Sequence, residues 1–461
     1  MNYRYLLIGL LTLGVVGCAS TREVNYENQA EDDTLSAIEE LVNRAIEGHV
    51  STEESESSVN ELTDLVDVPE LEKYIEEALQ KNPSLQQSVI ALSVAYANQG
   101  ISRADLLPSV TSSFSGEKTQ DSDDVFSADL TVSWELDLWQ QLADTNEAAK
   151  TDILSTEASL QTAKNLVVAN LMRGWLAISA DQQLLQIEQK RLEALKSTES
   201  LILERYRSGL DSLDELDTAK TATAQTKATI ADYEEQLEQN KRSLLLLTGG
   251  WNEELVDINV ADTFPDVLYP LDNMSVQDLS GRPDLQQAFL DIKAQTLRTN
   301  AAYKAMLPSF SLSASLADMA ESPTEALFNN PIWSLLGQIS APLFQGGSLK
   351  AQAEVEELTT RQTYWAYQEA LLDAVNEVEN AIGYESSYAI QQGYLNEALL
   401  SAERSLVSSE QNYRQGLVDV FDLLTVQQQA FDAEAELISM IYQRLLNRIE
   451  LGLALGIGVS S

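Results

Sequence analysis

Proline is the residue that most limits what this chain can fold into. Its ten prolines stand at positions 69, 83, 108, 265, 270, 283, 308, 323, 331 and 342, so Ser109 to Phe264 and Leu343 to Ser461 contain none. A proline ring removes a backbone donor and clashes with the preceding turn, so long helices are permitted only where it is absent. The apolar pattern uses that permission. Leu371, Val375, Val378 and Ile382 recur at alternating spacings of four and three, as do Leu395, Leu399, Ala402 and Leu406; this is a coiled-coil-like seam. A helix from Gly347 to Gln415 would run about 100 Å at 1.5 Å per residue, and Asn146 to Ser208 is comparable. Such rods exceed any globular core.

The chain is also written twice. "KNPSLQQ" (Lys81 to Gln87) returns as "GRPDLQQ" (Gly281 to Gln287), and "ADLLPSV" (Ala104 to Val110) as "KAMLPSF" (Lys304 to Phe310), both 200 positions later. "ERYRSGLDSLDEL" (Glu204 to Leu216) returns as "NYRQGLVDVFDLL" (Asn412 to Leu424) with its Tyr-Arg-x-Gly-Leu phrase 207 positions on, and Gly249 and Gly456 close the two halves. The expected organisation is a first repeat over 68–249 (strands about 109–139, long helices about 146–247), a connector over 250–280, and a second repeat over 281–461 (strands about 309–344, long helices about 347–456). Units this long are duplicated modules rather than solenoid repeats.

Ahead of each long helix the period switches to two. "SFSLSASLA" puts Phe310, Leu312, Ala314 and Leu316 on one face with serines opposite. "DLTVSWELDLW" alternates Leu130, Val132, Trp134, Leu136 and Leu138 against Thr131, Ser133, Glu135 and Asp137. Each half thus supplies one hairpin of strands about 10 residues long, the length a membrane barrel strand requires. A half-buried hairpin in a water-soluble protein would share the pattern.

Composition removes other readings. With 29 basic against 72 acidic residues and a formal charge of -43, the chain lacks the cations that displace counterions from nucleic acid. Cys18 and His49 are its only cysteine and histidine, too few for a Cys/His zinc cluster, a Cys-His dyad or a Ser-His-Asp triad. No enzyme, cofactor or metal site is expected.

"MNYRYLLIGLLTLGVVGCAS" carries Arg4 and then an apolar run from Leu6 to Val16, a signal peptide over 1–17 and too short to span a bilayer. Val15-Val16-Gly17-Cys18 resembles the bacterial lipoprotein processing box, in which the cysteine is acylated; a simple secretory cut near Gly17 is the alternative. Ala19 and Ser20 lack the Asp that retains lipoproteins at the inner membrane, which by that resemblance points outward. Residues 18–67 read as a lipid-anchored acidic tether, extended or partly helical.

Four strands cannot stand alone in lipid, because an open edge exposes unpaired N–H and C=O groups. Two copies would make eight strands with a filled interior, whereas three make twelve and leave a lumen. A conduit points to the trimer.

Together, the processing box, the paired "LPS" motifs, "WELDLW", "PLFQGG" (Pro342 to Gly347) and the twin Tyr-Arg phrases resemble the outer membrane efflux proteins. These are TolC-like channel-tunnels, here closest to the lipid-anchored NodT-type branch, and the likeness covers Val68 to Gly456. It implies an α+β membrane protein of the Gram-negative outer membrane, a homotrimer whose shared 12-stranded barrel continues into a helical periplasmic tunnel. It also implies a periplasmic adaptor and an inner membrane pump, of the RND type, as partners. A duct for type I protein secretion and a non-channel periplasm-spanning lipoprotein are the alternatives. Gln140 stands where the family commonly has glycine.

The twin phrases read as helical hairpin tips. Gly209 and Gly416 suit a left-handed residue that ends a helix, with Leu210 and Leu417 closing the apolar contact. Ser212 and Asp419 can cap the next helix, with Glu215 and Asp422 completing capping boxes. The resemblance makes Tyr206, Arg207, Gly209, Leu210, Tyr413, Arg414, Gly416 and Leu417 the adaptor-docking tips, and Asp419 and Asp422 a candidate gate. Thr425 stands where some relatives carry Asp, and capping alone also explains Asp422. Glu135 and Asp137, on the polar strand face, are candidate lumen acids. A negative lumen favours cations, although a solvated acidic exterior gives the same charge.

Overall fold

The computed structural model describes residues 25–48, 61–66, 68–120, 123–250, 258, 260, 261, 263–265, 279 and 281–459. Cys18, the signal segment and most of the inter-repeat connector lie outside the described residues. A first helix, α1 (Tyr26–Gly48), is followed by single 3-10 turns at Leu62–Leu65 and Pro69–Leu71 and by α2 (Glu72–Lys81). The first repeat then runs α3 (Pro83–Ala104), β1 (Ser109–Glu117), β2 (Val125–Glu135), α4 (Gln141–Arg207) and α5 (Leu213–Leu247). The second runs α6 (Pro283–Lys304), β3 (Ser309–Ala320), β4 (Ile332–Ser340), α7 (Ser348–Arg414) and α8 (Val420–Ala454).

Duplication is carried through to element length. Helices α3 and α6 have 22 residues each, α4 and α7 67 each, and α5 and α8 35 each. Both 22-residue helices open on proline at the first position, where no N–H is needed. Asn82 caps α3 by accepting from Leu85 N at 3.0 Å. At 67 residues, α4 and α7 are each about 100 Å long.

The four strands form one antiparallel meander, β1-β2-β3-β4, leaving β1 and β4 as free edges of the chain. Register places apolar partners together on one face: Val110 opposite Val132, Leu130 opposite Leu316, Trp134 opposite Leu312, and Leu316 opposite Trp333. This face is exposed, with Trp333 at 76% and Ile339 at 68% of full accessibility. The opposite face is hydroxyl-rich, and Ser115–Ser127 and Ser315–Ser334 pair across strands at 2.8 Å. None of the four described strands contains Lys or Arg. An apolar outside and a polar inside are what a barrel wall in lipid needs. No helix among the described residues is long and apolar enough to cross a membrane.

Strand β2 ends at Glu135, four residues before the expected boundary. The chain turns at once: Leu138 N donates to Leu136 O, and Asp137 leaves the strand pattern to cap α4, its carboxylate accepting from Ala143 N at 2.7 Å. Gln140, at φ 63, takes the left-handed conformation that its counterpart Gly347 takes at φ 87. The departure from glycine is thus tolerated at a cost of about 1–2 kcal/mol. Below the sheet, the indoles of Trp134 and Trp139 donate to Leu106 O and Pro308 O, tying both "LPS" turns to the barrel foot.

Two cores lie at mid-height. One joins α2, α4, α5 and α8 around Leu71, Tyr74, Leu171, Trp175, Leu244 and Ile449. The other joins α1, α6, α7 and α8. In it α1 is no free tether: the Tyr26 ring packs tilted against that of Tyr364 at 5.1 Å, and Asp33 accepts from Tyr364 Oη at 2.9 Å and Gln368 Nε2 at 2.6 Å. The hydroxyls of Thr34 and Tyr367 are also bonded. Ala30 and Leu41 are buried on the same face.

Candidate functional site: the paired hairpin tips

Each tip is built by a left-handed glycine. Gly209 (φ 73) and Gly416 (φ 72) end α4 and α7; Leu210 N and Leu417 N then reach back to Arg205 O and Asn412 O, both at 2.9 Å. A Cβ at such φ values is strained, which accounts for glycine in both copies. At the first tip the capping box is complete, with Glu215 N donating to Ser212 Oγ (3.2 Å) and Ser212 N to Glu215 Oε2 (2.5 Å). The second tip departs from the expected box. Asp419 accepts from Asp422 N at 2.9 Å, but Asp422 does not return the bond. Its side chain is one methylene shorter than that of Glu215 and falls short of the N-cap amide.

The two tips of a chain are not equivalent. Tyr206, Arg207, Gly209 and Leu210 are exposed, as are Arg414, Gly416 and Leu417, whereas Tyr413 is 2% exposed. Tyr413 therefore offers no free surface for docking. It is drawn under the first tip, where its hydroxyl donates to Asp211 Oδ2 at 3.1 Å. Arg205 Nε donates to both Asp211 oxygens at 2.9 Å, and the Arg205 guanidinium lies over the Tyr413 ring at 5.2 Å. Burial, and then the Asp211 charge, push the Tyr413 phenol up to about 12, and the hydrogen bond to Asp211 raises Arg205. Ile202, Leu216, Val420 and Leu423 complete a small core around Tyr413. Sequence reasoning missed Arg205 and Asp211. The available signal was a difference between copies, since Asn412 and Val418 stand at the matching places.

Glu135 lies on the hydroxyl face at the foot of β2, paired with Ser311. Asp129, which sequence reasoning passed over, shares that face and accepts from Thr131 Oγ1 at 2.5 Å. Asp137 does not join them, being committed to the start of α4. Among the described residues no group of three or more His, Cys, Asp or Glu is placed to hold a metal ion.

Residues 74–250 and 275–457 match the family described as outer membrane efflux protein. The chain belongs to the outer membrane efflux protein family. Among its relatives, the cation efflux system protein CusC of Escherichia coli O157:H7 is 26% identical over 399 residues, covering 84% of this chain and 86% of CusC. The probable outer membrane lipoprotein SilC of Salmonella typhimurium is 24% identical over 404 residues, covering 85% and 86%. The crystal structure of the Campylobacter jejuni CmeC outer membrane channel superposes with a TM-score of 0.82 at 21% identity, covering 90% of this chain and 91% of CmeC. This family member thus has the fold of the trimeric channel-tunnels, with four strands for a shared barrel and long helices for a tunnel. It is an outer membrane efflux channel that extends into the periplasm.

Proposed function

We propose that three copies of this chain form the outer membrane duct of a tripartite efflux pump, receiving substrate from a periplasmic adaptor and an inner membrane pump of the RND type. The observation that carries this is the pairing of an open four-stranded sheet at one end with duplicated, exposed helical tips at the other. Closing the sheet joins β1 of one copy to β4 of the next, satisfying edge groups worth several kcal/mol each in lipid. Because α3 leads into β1 and α7 leads out of β4, the same closure brings the exposed Ile90, Val94 and Ile101 of α3 to Val355, Leu358 and Trp365 on the neighbour's α7. Those stripes then stop being exposed.

At the mouth, Tyr206, Arg207, Gly209 and Leu210, with Arg414, Gly416 and Leu417, form the adaptor-facing surface. Asp419 and Asp422 supply negative charge beside it, and the Arg205–Asp211–Tyr413 tie holds the two hairpins of one chain together. In the barrel, Glu135 and Asp129 face the lumen without a strand cation to offset them, which favours cations. Acylation of Cys18 anchors the chain. Helix α1 suits that role: its Tyr26 end meets Tyr364 and its Leu41 end lies further along α7, so it runs parallel to α7 and directs its N-terminus toward the membrane.

The test is a Leu210→Asp, Leu417→Asp double variant in cells that depend on the pump. Efflux should be lost while the purified protein still conducts ions. Undiminished efflux would remove the tips from adaptor docking.

A further inference from the structure

Midway along the tunnel, α4 carries two buried acids that the mouth does not use. Asp181 and Glu188 lie seven residues apart, two turns along one face, and are 7% and 6% exposed. They sit where α4 and α5 of the first repeat meet α8 of the second. Asp181 accepts from Asn240 Nδ2 of α5 at 2.6 Å. One Glu188 oxygen is 3.5 Å from Arg191 Nη1, while the other, Oε2, is buried without a hydrogen-bond partner among the described residues. Arg191 meanwhile reaches across to Asp432 of α8 at 2.6 Å.

The surroundings do not supply enough positive charge for both acids. Tyr233 faces the pair from α5, Asp432 and Tyr442 from α8, and Arg191 is the cation shared among them. A buried carboxylate with an unmet oxygen is costly, whereas a neutral carboxyl is tolerated. The helical scaffold does not demand acids here either: 207 positions later, α7 carries Tyr388 and Leu395.

We infer that Asp181 and Glu188 form a proton-operated spacer between the two helical hairpins. Protonated, they let α4, α5 and α8 close together; ionised, they hold that contact loose. Once Glu188 is neutral, Arg191 serves Asp432 alone and the bridge from the first hairpin to the second tightens. Burial raises both carboxyls above their ordinary values of 3.8 and 4.5; Arg191 lowers Glu188 and Asp432 raises it. An acid raised by folding costs stability above its folded value, and the cost disappears as pH falls through that value. The closed form is therefore favoured as pH falls through the raised folded values toward the ordinary carboxyl range. Glu188 stands 17 residues, about 26 Å along α4, from Arg205, and an effect of the spacer on the mouth rests on the duct reading.

Amide hydrogen exchange on the full-length, detergent-purified protein, corrected for the intrinsic pH dependence of exchange, tests the spacer. Protection across 181–191 and 432–442 should be greater near pH 5 than near pH 8, because the closed form holds the carboxyl protons more tightly than the loose one. Asp181→Asn and Glu188→Gln, each close in shape to the native residue, should hold the protected state at both values, and either variant alone suffices. Equal protection of the wild type at both values, or a pH response retained in both variants, would overturn the proposal. A protein that shows the pH-dependent protection but conducts no ions upholds the spacer and counts against the duct alone.

Discussion

Tyr206 and Tyr413 occupy one place in two copies of the same phrase, yet one is 40% exposed and the other 2%. The difference comes from Asp211, whose carboxylate is only 4% exposed and gathers Arg205 and Tyr413 around it. Because Tyr413 is raised from 10.0 to about 12, the folded protein keeps its proton after the unfolded chain has lost it. Stability from this group is complete below about pH 10 and is lost as pH rises toward 12. Tyr413→Phe should abolish that part of the alkaline loss in a melting-temperature profile, and an unaltered profile would mean the tie contributes nothing. The tip acids make a second, separable prediction. Glu215 closes a capping box and Asp422 does not, so Glu215→Gln should shift local stability by no more than about 1 kcal/mol and leave conductance alone. Asp422→Asn should instead change divalent-cation block without changing the melting temperature; the opposite assignment would make Asp422 a cap. The glycines at the tips were legible in the sequence because a positive φ restricts the residue that can occupy it. The Tyr413 tie was harder to read, since its partner lies 202 positions away and only the difference between the copies at Arg205 and Asp211 marks it.

Among the elements, the long helices were the most legible, because absence of proline and a four-three apolar pattern act over tens of residues. The strands were legible in alternation but not in extent. Leu136 and Leu138 continue the period-two pattern of β2, yet Asp137 is worth more as the cap of α4 than as another strand residue. Helix α1 was the element least apparent. Its contact face is Tyr26, Ala30, Asp33, Thr34, Ala37, Ile38 and Leu41, with small and polar residues from Ala30 to Ala37 interrupting what would otherwise show as a core-facing stripe. The contact is completed by hydrogen bonds to Tyr364, Tyr367 and Gln368, which no local pattern announces. Replacing Ala30, which is fully buried, by Arg should force α1 off α7. Limited proteolysis should then cut between residues 25 and 48 at least about tenfold faster than in the wild type, as expected for a segment that has lost its packing. Cutting at the wild-type rate would show that α1 does not depend on this face.

Across the whole trimer-forming chain, duplication explains most of the architecture: equal helix lengths, two strand hairpins and two tips. The copies have diverged where the two halves must do different things. Arg205 and Asp211 at the tip, and Asp181 and Glu188 along the tunnel, belong to the first copy alone. The excess of acid is also legible in composition, but its distribution is not. The strands place Glu117, Asp129 and Glu135 on the hydroxyl face and carry no Lys or Arg of their own, the distribution that the proposed acidic lumen requires. Whether the chain assembles into an acid-lined duct is decided by single-channel recording of the purified protein in a planar bilayer under a potassium chloride gradient. Such a duct should give uniform conductance steps with a reversal potential of cation-selective sign. A protein that inserts without producing steps, or that reverses with anion-selective sign, would contradict it.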